Sequence, residues 1–112
     1  MKNIALIDDK EYWIIQIKNA IPENIQYEFY YFSSYQEALW KHFDIIFLDY
    51  YLDIDWITSD DIIDELSGDI IIWFSSVQEC NEKLIKKWAS FWVEKLKAEY
   101  NPELENIVSK IL

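Results

Sequence analysis

Asp8, Asp9, Asp49, Ser75 and Lys95 are the residues of this chain whose types and order could do chemistry. The carboxylates stand directly after apolar runs: 3-NIALI-7 is halted by Asp8 and Asp9, and 44-DIIFL-48 runs into Asp49. An ionised carboxylate is penalised in an apolar setting unless a cation or hydrogen-bond donors compensate. Asp49 therefore sits either at an edge that reaches water or in a site made for its charge. Three carboxylates gathered at one place would repel one another unless a hard cation bound among them, and Mg²⁺ prefers such oxygen ligands while keeping part of its water shell. Ser75 closes the run 70-IIIWF-74 and Lys95 follows 91-FWV-93, so a hydroxyl and an ammonium join the set if these runs end at one edge. Taken singly, each residue has a plainer reading. Acids and serines cap helices and end strands, and a lysine is ordinarily a surface cation.

The elements that must position these residues alternate. The runs 3–7, 25–32, 44–48, 70–74 and 91–93 read as strands, rich in β-branched and aromatic residues, with 25-IQYEFYYF-32 near a sheet edge and 70-IIIWF-74 buried on both faces. Between them, Trp13, Ile17, Ala20 and Ile21 recur at helical spacing until Pro22. Ser34 with Glu37 has capping-box spacing for a helix over 35–42. Thr58 or Ser59 can cap a helix ending near Leu66, with Gly68, the single glycine, as its terminator. Ser76 with Glu79 opens another helix towards Trp88. Asn101 as cap, Pro102 at the first helical position, and Leu104, Ile107, Val108 and Ile111 on one face describe a terminal amphipathic helix. Five strands alternating with five helices predict an α/β fold with a parallel sheet covered on both faces, in which ligands gather at the carboxyl ends of the strands.

Composition is compatible with that fold and excludes several functions. The 112 residues are 52% hydrophobic and 18% aromatic, which suits one compact domain and not a disordered chain. A net charge of −11 disfavours nucleic acid and anionic membrane surfaces as partners. The single cysteine, Cys80, cannot form an internal disulfide, no Cys/His cluster has zinc spacing, and no run approaches the roughly 18 apolar residues of a membrane span. With no basic-then-apolar leader pattern either, a cytoplasmic location is expected. Cys80 and His42 suggest no role, since neither has an evident partner.

The acidic pair after strand one, Asp after strand three, Ser after strand four and Lys after strand five together resemble the receiver domain of two-component response regulators, the CheY-like superfamily. The likeness runs over residues 1–112 as a single domain and includes 44-DIIFLDYYL-52, 70-IIIWFSS-76, 89-ASFWVEK-95 and 102-PELENIVSKIL-112. It implies a flavodoxin-like (βα)5 sandwich of strand order 2-1-3-4-5. It also implies that Asp49 is the phosphoacceptor, receiving the phosphoryl group from a histidine kinase or histidine phosphotransfer protein, or from a small acyl phosphate. Asp9, Asp49 and the backbone carbonyl of Tyr51 would hold Mg²⁺ or Mn²⁺, with Asp8 acting mainly through water. Lys95 would add a second cation at the phosphoryl oxygens and Ser75 a hydrogen bond. Ser75 and Trp92 would form the switch that reshapes the surface of the fourth helix, fifth strand and fifth helix, where a downstream protein binds. Such a domain catalyses its own phosphorylation and dephosphorylation.

The sequence also departs from that family. Leu96 follows Lys95 where receivers usually have proline, and the loop after Asp49, 53-DIDWITSDD-61, lacks the usual proline and Asp-Gly pair. These departures favour an alternative, a pseudo-receiver that binds proteins without being phosphorylated. A second alternative is a haloacid-dehalogenase-type phosphatase, because 53-DIDWI-57 approaches the Asp-x-Asp-x-Thr/Val motif, although that motif belongs near the start of a much longer chain. With no output segment after the terminal helix, the chain is expected to signal through protein contact alone.

Overall fold

β-branched and aromatic runs too short for helices form five parallel strands. The computed structural model describes residues 1–8, 10–49, 67–75, 91–96 and 99–112. The strands are β1 (Lys2–Ile7), β2 (Tyr27–Phe32), β3 (Phe43–Leu48), β4 (Gly68–Ser75) and β5 (Phe91–Glu94). They pair in parallel in the order β2-β1-β3-β4-β5, the order expected of the flavodoxin-like fold. β2 is indeed an edge strand, with only Phe32 fully buried. β4 is buried on both faces: Ile71, Ile72, Trp73 and Phe74 are all inaccessible or nearly so.

One face of the sheet is covered by two helices, α1 (Ile14–Ala20) and α2 (Pro102–Ile111). Ile4, Leu6, Ile45, Phe47, Ile72, Phe74 and Val93 project from the sheet onto Ile17, Ala20 and Ile21 near α1 and onto Leu104 and Val108 of α2. The period of two in the strands thus meets a period of three to four in the helices. α2 begins as the sequence predicts: the Asn101 side chain accepts the Leu104 N–H, and Pro102 occupies the first turn, where no N–H is needed. Among the described residues no helix is long and apolar enough to cross a membrane.

Two local expectations are corrected. Residues 35–42 are not a helix; Tyr35–Ala38 make a single 3-10 turn, and Ser34 makes no side-chain cap bond. β3 already starts at Phe43, which leaves too little chain to repay helix nucleation. The first helix likewise opens with a 3-10 turn, Glu11–Trp13, before α1. Gly68 is the first residue of β4, opposite Phe43, and the helix it was expected to terminate lies outside the described residues. The helices expected over 58–66 and 76–88, and the loop of 50–58, lie outside the described residues.

A Cβ on Gly68 would stand 2.8 Å from Cδ1 and 3.0 Å from Cγ1 of Ile46, whose side chain is wholly buried. Close packing, not backbone freedom, therefore selects glycine there. Gly68→Ala is expected to lose about 1–3 kcal/mol through overpacking, read as a lower urea midpoint. Shortening the obstructing side chain in Gly68→Ala/Ile46→Val should make the two changes non-additive, with the double variant no less stable than Gly68→Ala. Additive losses would show that the contact with Ile46 is not the cause.

Candidate functional site

β1 and β3 are neighbours at the centre of the sheet, and each continues its ladder one residue past its end. The Asp8 N–H donates to the Phe32 carbonyl at 3.1 Å, and the Asp49 N–H to the Ile7 carbonyl at 3.0 Å. These bonds fix both aspartates at the carboxyl edge of the sheet. Asp8 is further held by Lys10, whose N–H donates to Oδ1 at 3.0 Å, and by the Tyr31 hydroxyl, which donates to its carbonyl at 2.9 Å.

Lys95 starts two strands away from Asp49, just past β5, and its side chain crosses the end of β4 to reach both acids. Its Nζ donates to Asp8 Oδ2 at 2.5 Å and to Asp49 Oδ1 at 2.9 Å. Asp8 is completely buried, and the other two side chains retain only 5% and 11% of their exposure, Lys95 and Asp49 respectively. Aromatic faces complete the cradle: Nζ lies 5.0 Å from the centre of the Trp13 ring and 5.6 Å from that of Phe74, and these two rings meet edge-on. The negative faces of the rings favour an ammonium placed over them. Buried charge is tolerated here because it is paired and hydrogen-bonded.

Two carboxylates against one ammonium leave one negative charge uncompensated among the three groups. In kind, such a donor set fits a hard divalent cation, which takes carboxylate oxygens and water. Among the described residues no three His, Cys, Asp or Glu side chains converge as a metal cluster. The other two expected ligands, Asp9 and Tyr51, lie outside the described residues. Ser75 is the last residue of β4, level with Glu94 on β5, so its backbone stands at the same edge, while its side chain lies outside what is described. Trp92 pairs in register with Trp73, and its side chain is likewise outside.

Asp8, Asp49 and Lys95 are thus brought together, with the lysine as a partner that the two carboxylates share. Sequence reasoning missed Trp13, assigned only to a helix face, and Phe74, assigned only to the core. It also missed Gln16, which is buried in α1. An aromatic residue a few positions after the acidic pair, where α1 must start beside the strand ends, was the one available signal for Trp13. His42 does have partners, contrary to expectation: its Nδ1 lies 2.5 Å from Ser67 Oγ and its Nε2 2.9 Å from Asp69 Oδ1, at the opposite edge of the sheet.

Solved structures similar to this chain include receiver domains. The response regulatory domain of mrkE from Klebsiella pneumoniae is similar with a TM-score of 0.71 and 17% identity, over 97% of this chain and 93% of that one. The response regulator TrrA from Thermotoga maritima, solved in complex with Mg²⁺ and BeF, is similar over the whole of both chains with a TM-score of 0.69 and 24% identity. The Mn²⁺-bound form of the response regulator Rcp1 reaches 0.70 at 13% identity, over 99% of this chain and 91% of that one. The chain has the receiver, CheY-like fold. No protein-family model matches the sequence, and no curated protein matches it.

Proposed function

We propose that residues 1–112 form one receiver domain of two-component signalling, with Asp49 as the phosphoacceptor. The observation that carries this reading is the convergence of Asp8, Asp49 and Lys95 at the carboxyl edge of a 2-1-3-4-5 parallel sheet. An Asp49 oxygen attacks the phosphorus of a phosphohistidine on a histidine kinase or phosphotransfer protein. The P–N bond breaks, and the imidazole leaves with the electron pair and takes up a proton. With acetyl phosphate the P–O bond to the acyl group breaks and acetate leaves. Asp8, Asp9, Asp49 and the Tyr51 carbonyl would hold Mg²⁺ or Mn²⁺, which when bound neutralises charge on the transferring group. Structures of the same fold solved with Mg²⁺ and BeF or with Mn²⁺ are in keeping with this.

Lys95 needs little displacement to serve the phosphoryl group, because its ammonium already touches the attacking carboxylate. The aromatic cradle restricts where that ammonium can go. Once Asp49 carries the phosphoryl group, its new oxygens compete with Asp8 for Lys95 and offer acceptors to the Ser75 hydroxyl. Added charge of this kind biases a two-state element, here Ser75 with Trp92. The surface of β5, α2 and the helix expected before β5 would then change for a downstream protein partner. The acidic composition fits protein partners in the cytoplasm rather than nucleic acid or membrane.

A second reading is favoured by Leu96 in place of proline and by the lysine that already bridges both acids: a domain that binds proteins without phosphorylation. Intact-protein mass after incubation with acetyl phosphate, with Mg²⁺ or with a chelator, separates the two. One phosphoryl adduct that requires Mg²⁺ is expected. No adduct on folded protein would overturn the phosphoacceptor reading and leave the docking module.

A further inference from the structure

The residue after Lys95 is held from both sides by a single side chain. Gln16, 1% exposed on α1, donates from Nε2 to the Leu96 carbonyl at 2.7 Å, and its Oε1 faces the Leu96 N–H at 3.5 Å. The same oxygen accepts from Asn101 Nδ2 at 2.9 Å, and Asn101 caps α2. A primary amide that meets both the acceptor and the donor of one residue does what a neighbouring strand does. The β4–β5 register ends at Ser75 and Glu94, so Gln16 takes hold of the chain two residues after that pairing stops. A second bond between the same elements, from Asn19 Nδ2 to the Glu99 carbonyl at 3.0 Å, keeps α1 against this segment.

We propose that Gln16 is a positioning residue that aims Lys95 at Asp8 and Asp49, an inference that rests on Lys95 belonging to the phosphoacceptor site. Lys95 must span the end of β4, and a four-carbon stem delivers its ammonium to both carboxylates only if its Cα is correctly placed. Gln16 sets that Cα through the adjoining peptide. The clamp also accounts for a residue other than proline at position 96: proline would have no N–H to face Oε1.

Gln16→Leu removes the amide at similar volume. Because small misplacements of a reacting group are costly, phosphorylation of Asp49 by acetyl phosphate should slow roughly 10- to 100-fold. In a Lys95→Met background the same change should have no further effect on the rate, whereas a merely structural role would slow both backgrounds alike. A second readout does not depend on phosphorylation: the Lys95 ammonium protons, followed by NMR, should exchange with water faster in Gln16→Leu than in the wild type. Unchanged ammonium exchange, or equal slowing in both backgrounds, overturns the role of Gln16. If the wild type takes no phosphoryl group at all, it is the functional reading that fails, and the exchange comparison still decides for or against the clamp.

Discussion

Asp49→Asn is expected to abolish phosphoryl transfer from acetyl phosphate, leaving intact-protein mass unchanged under conditions that fully modify the wild type. The carboxamide has nearly the shape of the carboxylate but no anionic oxygen to attack phosphorus. It can still accept from Lys95 Nζ, which lies 2.9 Å from Asp49 Oδ1. The variant also lowers the excess negative charge around Lys95, so loss of folding does not provide a competing explanation. A wild-type adduct should behave as an acyl phosphate, cleaved by hydroxylamine, as phosphoserine is not. Asp8→Asn, in contrast, should slow the reaction without ending it, because Asp8 contacts Lys95 and not the phosphorus. An adduct that survives in Asp49→Asn would place the acceptor elsewhere.

Lys95→Met should be the most destabilising of these single changes. It keeps most of the stem's packing but strips the cation from two buried acids, one of them entirely inaccessible. Removing one partner from a buried ion pair typically costs about 3–5 kcal/mol, since the remaining charge stays desolvated. A domain of this size has only about 5–15 kcal/mol to lose. Urea unfolding should therefore show a large drop in midpoint at unchanged slope. Asp8→Asn added to Lys95→Met removes one of the opposed charges and should restore much of the loss, a non-additivity expected of directly touching groups. If Lys95→Met unfolds within 1 kcal/mol of the wild type, water screens the cluster and the aromatic cradle does not isolate it.

Most of the sheet was legible because period and composition are local signals. Ile45 to Leu48 and Ile70 to Phe74 are apolar at every position, and only strands covered on both faces tolerate that at such short length. The terminal helix was legible to the residue, as Asn101, Pro102 and the Leu104–Val108 face each mark one feature of a helix. Ser34 and Glu37 misled because capping-box spacing says how a helix would begin, not whether the chain has room for one before Phe43. At Gly68 the close neighbour, the side chain of Ile46, lies on another strand and leaves no mark in the local sequence.

By itself the sequence determined the alternation of elements and the polar residue that closes each apolar run, since those depend on neighbours along the chain. What only the tertiary structure decided is how the closing residues pair: a lysine just past the edge strand crosses the end of β4 beside two aromatic rings to bridge Asp8 and Asp49, and Gln16, 80 residues before Leu96, grips the peptide next to it. Those partners are set by strand order and by which helix packs on which face. Distances between residues so far apart in the chain have no counterpart in local spacing.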